Sequence, residues 1–152
     1  MQINDEYIVN IEKLVFGGEG LAKIDNFSIF VKDVCPQDTV KIKILKVKKS
    51  FANAEVIEII KKSPYRINPI CALHNICGSC DWQFIDYNEQ LKQKQNIIKE
   101  TLSRIANYDS EVYDTIPSPK QSEYRCKVQT PVSSTKVSKR ILAGYYKKIH
   151  TN

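Results

Sequence analysis

The chain has 152 residues, of which 42% are hydrophobic, so it can bury a core and is not wholly disordered. Its 23 Lys and Arg outnumber its 17 Asp and Glu, and the net charge of +6 permits an anionic partner. No stretch approaches the ~20 apolar residues of a membrane helix, and the acidic start of the chain is unlike a secretory signal. We therefore expect a cytoplasmic protein whose thiols stay reduced.

The first 62 residues predict a small closed β-barrel. Alternating apolar residues predict strands at 7–11, 21–24, 27–31, 40–47 and 54–60. The alternation changes phase at Leu45, which predicts a β-bulge in the fourth of these strands. Five short antiparallel strands within about sixty residues are typical of a barrel of the OB type.

Three segments are predicted along the chain. The barrel at residues 1–62 is followed by a linker and cysteine loop at 63–85, and then by a helix with an incomplete β-rich domain at 86–152. Within the last segment, residues 124–132 and 141–148 predict two strands that start an antiparallel sheet. The expected fold class is α+β.

One amphipathic helix is predicted after the cysteine loop. Asp86 and Glu89 have the spacing of a capping box, with Asp at the N-cap. An apolar stripe follows at helical spacing, and it predicts the face that packs against the core. Its residues are Tyr87, Leu91, Ile98, Leu102 and Ile105.

Three of the five cysteines, Cys71, Cys77 and Cys80, lie within ten residues. An odd number of cysteines is a poor disulfide framework, and thiolates at this density indicate a soft metal ion. Zinc sites and cubane clusters usually take four ligands, so three cysteines leave the set incomplete. One C-x2-C hook with a single upstream cysteine favours iron–sulfur over zinc, and three unrelated thiols are the alternative.

The residues around these cysteines have simpler interpretations. His74 is interpreted as an exposed loop histidine rather than a ligand, and Gly78 as the residue that lets Cys77 and Cys80 approach. Trp82 is expected to shield the metal site or to pack on the helix. Of the isolated cysteines, Cys35 is expected to be buried and inert and Cys126 to be a structural thiol.

A lysine-rich strand and several other basic residues are candidates for binding nucleic acid. Contact with phosphates and a solvated strand face are equally compatible with the lysine run. Phe16, beside a glycine-rich turn, is a candidate for stacking on a base, although an aromatic residue there is more often part of the core. The basic candidates are Lys41, Lys43, Lys46, Lys48, Lys49, Arg125 and Lys127.

The sequence shows no catalytic constellation and no nucleotide-type cofactor site. The glycine-rich turn at residues 17–20 precedes a predicted strand, whereas a phosphate-binding turn follows a strand and opens a helix.

Taken together, these motifs resemble the RNA uracil-C5 methyltransferases, which form 5-methyluridine in 23S rRNA and have tRNA-modifying relatives. The most specific part is Cys71-x5-Cys77-Gly78-Ser79-Cys80, followed by Trp82-Gln83 and by Tyr87-x2-Gln90-Leu91-x2-Lys94. The first 62 residues resemble the TRAM domain of that family, including the segment at residues 16–22.

Two further segments extend the resemblance over nearly the whole chain. Tyr124-Arg125-Cys126-Lys127 resembles the family's Tyr-Arg-Asn-Lys segment, with cysteine in place of asparagine. Ala143-Gly144-Tyr145-Tyr146 resembles its Gly-Phe-Tyr strand.

The resemblance implies a 4Fe-4S cluster on four cysteines, of which Cys71, Cys77 and Cys80 match three. The fourth family cysteine and the S-adenosylmethionine-dependent catalytic domain lie beyond the segment that matches this chain. The fourth ligand of the expected cluster is therefore missing or non-standard, with Cys126 and Cys35 as candidates that do not sit at the family position. We therefore expect the RNA-binding and iron–sulfur portion of a 23S rRNA (uracil-C5)-methyltransferase, inactive by itself, with tRNA as the alternative RNA. The rival hypotheses are a stand-alone TRAM-type RNA-binding module with a structural zinc or iron–sulfur site, and a zinc-stabilised structural protein.

Overall fold

The computed structural model describes residues 1–148, which form a six-stranded sheet, one helix and a two-stranded hairpin. The fold is α+β, as predicted. The elements in chain order are β1 (Glu6–Asn10), β2 (Lys13–Leu14), β3 (Gly20–Ile24), β4 (Phe27–Val31), β5 (Thr39–Val47), β6 (Phe51–Lys61), α1 (Tyr87–Ile105), β7 (Val132–Ser134) and β8 (Ile141–Ala143).

The six-stranded sheet, called the barrel below, has the strand order β1-β5-β6-β4-β3-β2. Four neighbouring pairs are antiparallel, but β4 and β6 are parallel, so the expectation of a wholly antiparallel sheet is wrong. The edge strands β1 and β2 are not neighbours in the sheet of the described chain, and closure through ladder hydrogen bonds is not observed. The arrangement remains consistent with an OB-like fold.

Strand β5 shows how the sequence pattern sets the core. Val40, Ile42 and Ile44 are fully buried, and the residues between them face outward. The register with β6 skips Leu45, since Ile44 pairs with Ala54 and the next pair is formed by Lys46. The predicted β-bulge is confirmed. Buried side chains of β1, β3, β4 and β6 complete this core.

Helix α1 begins where the sequence predicts. The Asp86 carboxylate accepts hydrogen bonds from the amides of Asn88 and Glu89, which satisfies two of the free donors of the first turn. The predicted packing face is wrong, because Ile98 is 52% exposed and Ile105 is 79% exposed. The helix turns a polar face to the barrel instead.

That polar face docks on strand β2. Gln93 is buried, and its Oε1 accepts a hydrogen bond of 3.0 Å from the amide of Leu14. Its Nε2 donates to the buried carboxylate of Glu89, one turn earlier on the same face. Glu100 forms an ion pair with Lys13. Polar side chains are required here because a strand edge presents backbone amides rather than an apolar surface.

The hairpin β7–β8 is much shorter than predicted. In the described chain, residues 124–131 contain no strand, and β8 ends at Ala143 rather than 148. All residues of both strands are exposed, so the pair has no core that would extend it. The final four residues of the predicted third segment lie outside the described residues.

A buried carboxylate joins the barrel to the linker. Asp38 is fully buried, and its oxygens accept hydrogen bonds from the amides of Cys35 (2.6 Å) and Ser63 (2.9 Å). The guanidinium of Arg66 donates to the same carboxylate through Nε (2.8 Å) and Nη2 (2.7 Å). Both charges are therefore paired, as burial requires.

Arg66 extends this junction to the segment before α1. Its Nη2 also donates to the carbonyl of Asp33, and its guanidinium carbon lies 4.6 Å from the ring centre of Phe84. Next to it, the amide of Ile67 donates to the carbonyl of Phe84 at 2.9 Å. The linker, the end of the cysteine loop and the barrel thus share one set of contacts.

None of the helices within residues 1–148 has the length and apolar composition to cross a bilayer.

Replacing Asp38 by alanine should lower the free energy of unfolding by about 3–5 kcal/mol, because it leaves the guanidinium of Arg66 largely buried without its counter-ion. Urea denaturation of the 152-residue chain measures the change. The matched control is Glu12→Ala, which removes an exposed carboxylate 3.9 Å from Lys23 and should cost about 0–1 kcal/mol. Equal changes in the two variants would show that Asp38 does not hold the junction.

Candidate functional site

The three clustered cysteines lie on a loop of successive turns between the linker and α1. Cys71 is exposed, and Cys77 and Cys80 are partly exposed. Within residues 1–148, no three His, Cys, Asp or Glu side chains are close enough to hold a metal ion. The thiols supply the ligand type that iron–sulfur chemistry needs, and the loop would have to draw them together to bind a cluster.

His74 is buried, so its interpretation as an exposed loop histidine is wrong. Its side chain is 4% exposed, and its ring centre lies 5.5 Å from that of Phe84. Neither ring nitrogen has a hydrogen-bond partner in the described chain. Burial lowers the pKa of His74, and nearby Lys148 lowers it further, which favours the neutral imidazole.

Gly78 lies where the end of the described chain pairs with the cysteine loop. Its amide donates to the carbonyl of Tyr146 at 3.0 Å, and the amide of Lys148 donates to the carbonyl of Ile76 at 2.8 Å. A Cβ at Gly78 would lie 3.4 Å from the carbonyl oxygen of Lys147. Gly78 is therefore in van der Waals range of residues 145–148, called the strap below, which pair with the cysteine loop.

The strap also reaches the barrel. The ammonium group of Lys148 forms an ion pair with the carboxylate of Asp33, in the loop that follows β4. One short segment near the end of the described chain is therefore bonded to both the cysteine loop and the barrel.

Trp82 docks on the glycine-rich turn. Its Nε1 donates to the carbonyl of Gly18 at 3.1 Å, and a Cβ at Gly18 would lie 3.3 Å from that nitrogen. Gly18 also has φ +87°, which glycine adopts without strain. The carbonyl of Trp82 accepts from Gln90, so this residue links the turn to helix α1.

Two cysteines have shifted acidities. Burial raises the pKa of the Cys35 thiol to about 11, and its Sγ lies 3.5 Å from Ser63 Oγ. The expectation of a buried Cys35 is confirmed. Cys77 Sγ lies 3.2 Å from Ser79 Oγ, and hydrogen bonds from Ser79 lower the pKa of this thiol. Cys126 is exposed.

Acidic neighbours compensate two of the five lysines in the predicted basic strand. Lys41 lies 2.6 Å from a carboxylate oxygen of Glu6 on β1, and hydrogen bonding to it raises the pKa of Lys41. Glu58 faces Lys41 from β6. Lys43 stands between Glu6 and Glu55 in the ladder register. These two positions are therefore weaker candidates for contact with phosphates than the sequence run suggests.

The remaining lysines of the run are better placed. Lys46, Lys48 and Lys49 are exposed at the end of β5 and in the turn to β6, and they form no ion pair within the described chain. Phe16 is 89% exposed, so it is available for stacking rather than part of the core. Arg125 and Lys127 are also exposed, on the segment before β7.

Comparison with known proteins identifies the domain and its relatives. Residues 2–57 match the family model of the TRAM domain. The chain is 40% identical over 148 residues to an uncharacterized RNA methyltransferase of Clostridium acetobutylicum, which is 95% of this chain and 32% of that relative. A similarly named protein of Aquifex aeolicus is 34% identical over 140 residues, again 32% of the relative. The chain spans about a third of the length of these curated relatives.

Among solved structures, a similar chain is the tRNA (uracil-54, C5)-methyltransferase of Pyrococcus abyssi in complex with S-adenosyl-L-homocysteine. It is 26% identical, and the match covers 74% of this chain and 24% of that one. The TM-score is 0.44.

In the metal-free protein, alkylation of Cys77 by iodoacetamide should reach half its maximal rate at a lower pH than an ordinary thiol, because only the thiolate reacts. Ser79→Ala should raise that midpoint, since it removes the hydroxyl beside the thiolate. Cys126, an exposed thiol outside the cysteine loop, is the internal control, because its rate should not depend on Ser79. Mass spectrometry of each cysteine peptide gives the rates, and an unchanged Cys77 midpoint in the variant contradicts the assignment.

Proposed function

Since the chain carries a TRAM domain and is homologous to bacterial RNA methyltransferases over 95% of its length, we propose that it is the RNA-binding portion of such an enzyme. The proposed reaction of the complete enzyme is the S-adenosylmethionine-dependent C5 methylation of uridine. The proposed substrate is 23S rRNA, with tRNA as the alternative, and the proposed location is the cytoplasm.

The observation that carries this proposal is the continuity of the homology. The match does not stop with the TRAM domain at residue 57 but continues through the cysteine loop and helix α1. TRAM alone would fit many RNA-binding proteins, whereas the combined segment points to one class of enzyme.

Recognition of RNA, rather than chemistry, is the role proposed for these 152 residues. This proposal is supported by the glycine-rich turn, which leads into strand β3 and not into a helix, unlike the turn of a nucleotide-type cofactor site. The proposed contacts are Phe16 for stacking and Lys46, Lys48, Lys49, Arg125 and Lys127 for phosphates, with smaller contributions from Lys41 and Lys43.

A 4Fe-4S cluster on Cys71, Cys77 and Cys80 is the second part of the proposal. It is supported by the thiol spacing and the family resemblance, and it requires the loop to draw the three sulfurs together. The alternative is a stand-alone RNA-binding module with a structural zinc site. The burial of His74 in the loop does not distinguish iron from zinc.

Replacing both Lys48 and Lys49 by alanine should weaken RNA binding and lower the steepness of its salt dependence, because two exposed cations that bind phosphates are lost. The slope of log K against log salt should fall by about 1.4 for a single-stranded RNA. Fluorescence anisotropy with a fragment of unmodified 23S rRNA measures both quantities.

The control for this experiment is Lys41→Ala, which removes a lysine already paired with Glu6 and should change the slope less. A flat salt response of the unmodified chain contradicts the RNA-binding proposal. Methyl transfer to the same RNA should be absent, and sustained turnover by the 152 residues contradicts the assignment of recognition alone.

Purification under strict exclusion of oxygen, followed by iron and sulfide reconstitution, should give a brown protein that contains iron and labile sulfide. Cys71→Ser should abolish the colour, whereas Cys126→Ser is the control and should retain it. Zinc without iron or sulfide would contradict the cluster and support the structural zinc site.

A further inference from the structure

A large open groove lies between the barrel and the cysteine loop. Its volume is about 1590 Å³. One wall consists of the glycine-rich turn and the outer surface of β5 and β6, and the other of the cysteine loop and the strap. Residues more than a hundred positions apart in the chain meet here, so the sequence pattern alone does not reveal it.

The charge of the groove is positive. Seven basic and four acidic side chains line it. Two of the basic ones are engaged, since Arg66 pairs with Asp38 and Lys148 with Asp33. The others include Lys32, Lys46, Lys62 and Lys147, which are exposed and form no ion pair within residues 1–148.

Aromatic rings stand beside these cations. Tyr145 is 49% exposed and Tyr146 is 76% exposed, and both line the groove from the strap. Free lysines that track a backbone and exposed rings that stack on bases are the two features that single-stranded nucleic acid requires. A duplex keeps its bases stacked on one another and would leave these rings unused.

His74 supplies an independent sign of a missing polar ligand. It lines the groove, it is more than nine-tenths buried, and both of its ring nitrogens lack a partner in the described chain. Buried polar atoms are rarely left without hydrogen bonds in native proteins.

We propose that this groove is a binding site for a single-stranded RNA segment, with Lys62 and Lys147 on its phosphates and Tyr146 stacked on a base. The inference rests on the proposed function, and it adds the strand form of the RNA and a second set of contacts beyond the lysine-rich strand. In this proposal the strap contacts RNA as well as pairing with the cysteine loop.

The test measures binding of the 152-residue chain to a fluorescein-labelled oligouridine, and to the same strand annealed to oligoadenosine. Lys62→Ala with Lys147→Ala should lower the slope of log K against log salt by about 1.4. The control is Lys92→Ala with Lys94→Ala, which removes two exposed charges from helix α1 outside the groove and should leave the slope unchanged. Circular dichroism and unfolding midpoints check that all variants fold.

Tyr146→Ala should weaken binding of the single strand about five- to 150-fold at constant salt slope, because stacking is lost without a phosphate contact. If the affinity for RNA falls equally in the groove and control variants, the groove is not the RNA site, but the proposed function is unaffected. No binding of RNA by the unmodified chain would overturn the proposed function itself. Equal affinity for the annealed duplex would overturn the assignment of a single strand.

Discussion

The buried carboxylate of Asp38 holds the barrel, the linker and the end of the cysteine loop in one arrangement. It accepts hydrogen bonds from the amides of Cys35 and Ser63 and pairs with Arg66, whose guanidinium then covers Phe84. A buried ion pair of this kind adds little stability compared with apolar packing, but breaking it is costly. Its main consequence is geometric, because it fixes where the linker leaves the barrel and therefore where the opposite wall of the groove stands.

Charge is distributed by the same architecture. The acids of β1 and β6 offset Lys41 and Lys43 in the middle of the sheet, which leaves the free lysines at the end of β5, at Lys62 and on the strap. Because the lysines in the middle of the sheet are offset by acids, the uncompensated positive charge near the groove attracts an anionic chain toward it. This distribution agrees with recognition of RNA as the role of these residues.

Local features were predictable from the sequence, and contacts between distant segments were not. The alternation in β5, the bulge at Leu45 and the N-cap Asp86 depend on neighbouring residues, so their patterns are visible in the chain. The parallel pairing of β4 with β6 and the partner of Gly78 depend on segments that meet only after folding. The apolar stripe of α1 gave the wrong packing face, because β2 presents the backbone amide of Leu14 to the helix. Gln93 can accept a hydrogen bond from that amide, and an apolar side chain cannot.

In the proposed arrangement, the barrel and the cysteine loop form the two walls of one RNA site. Hydrogen exchange of the 152-residue chain, with and without single-stranded RNA, tests it most directly. The account predicts that amides in residues 43–62 and 74–80 gain protection together, at the same RNA concentration. Protection of the barrel segment alone, with unchanged exchange in the cysteine loop, would contradict it.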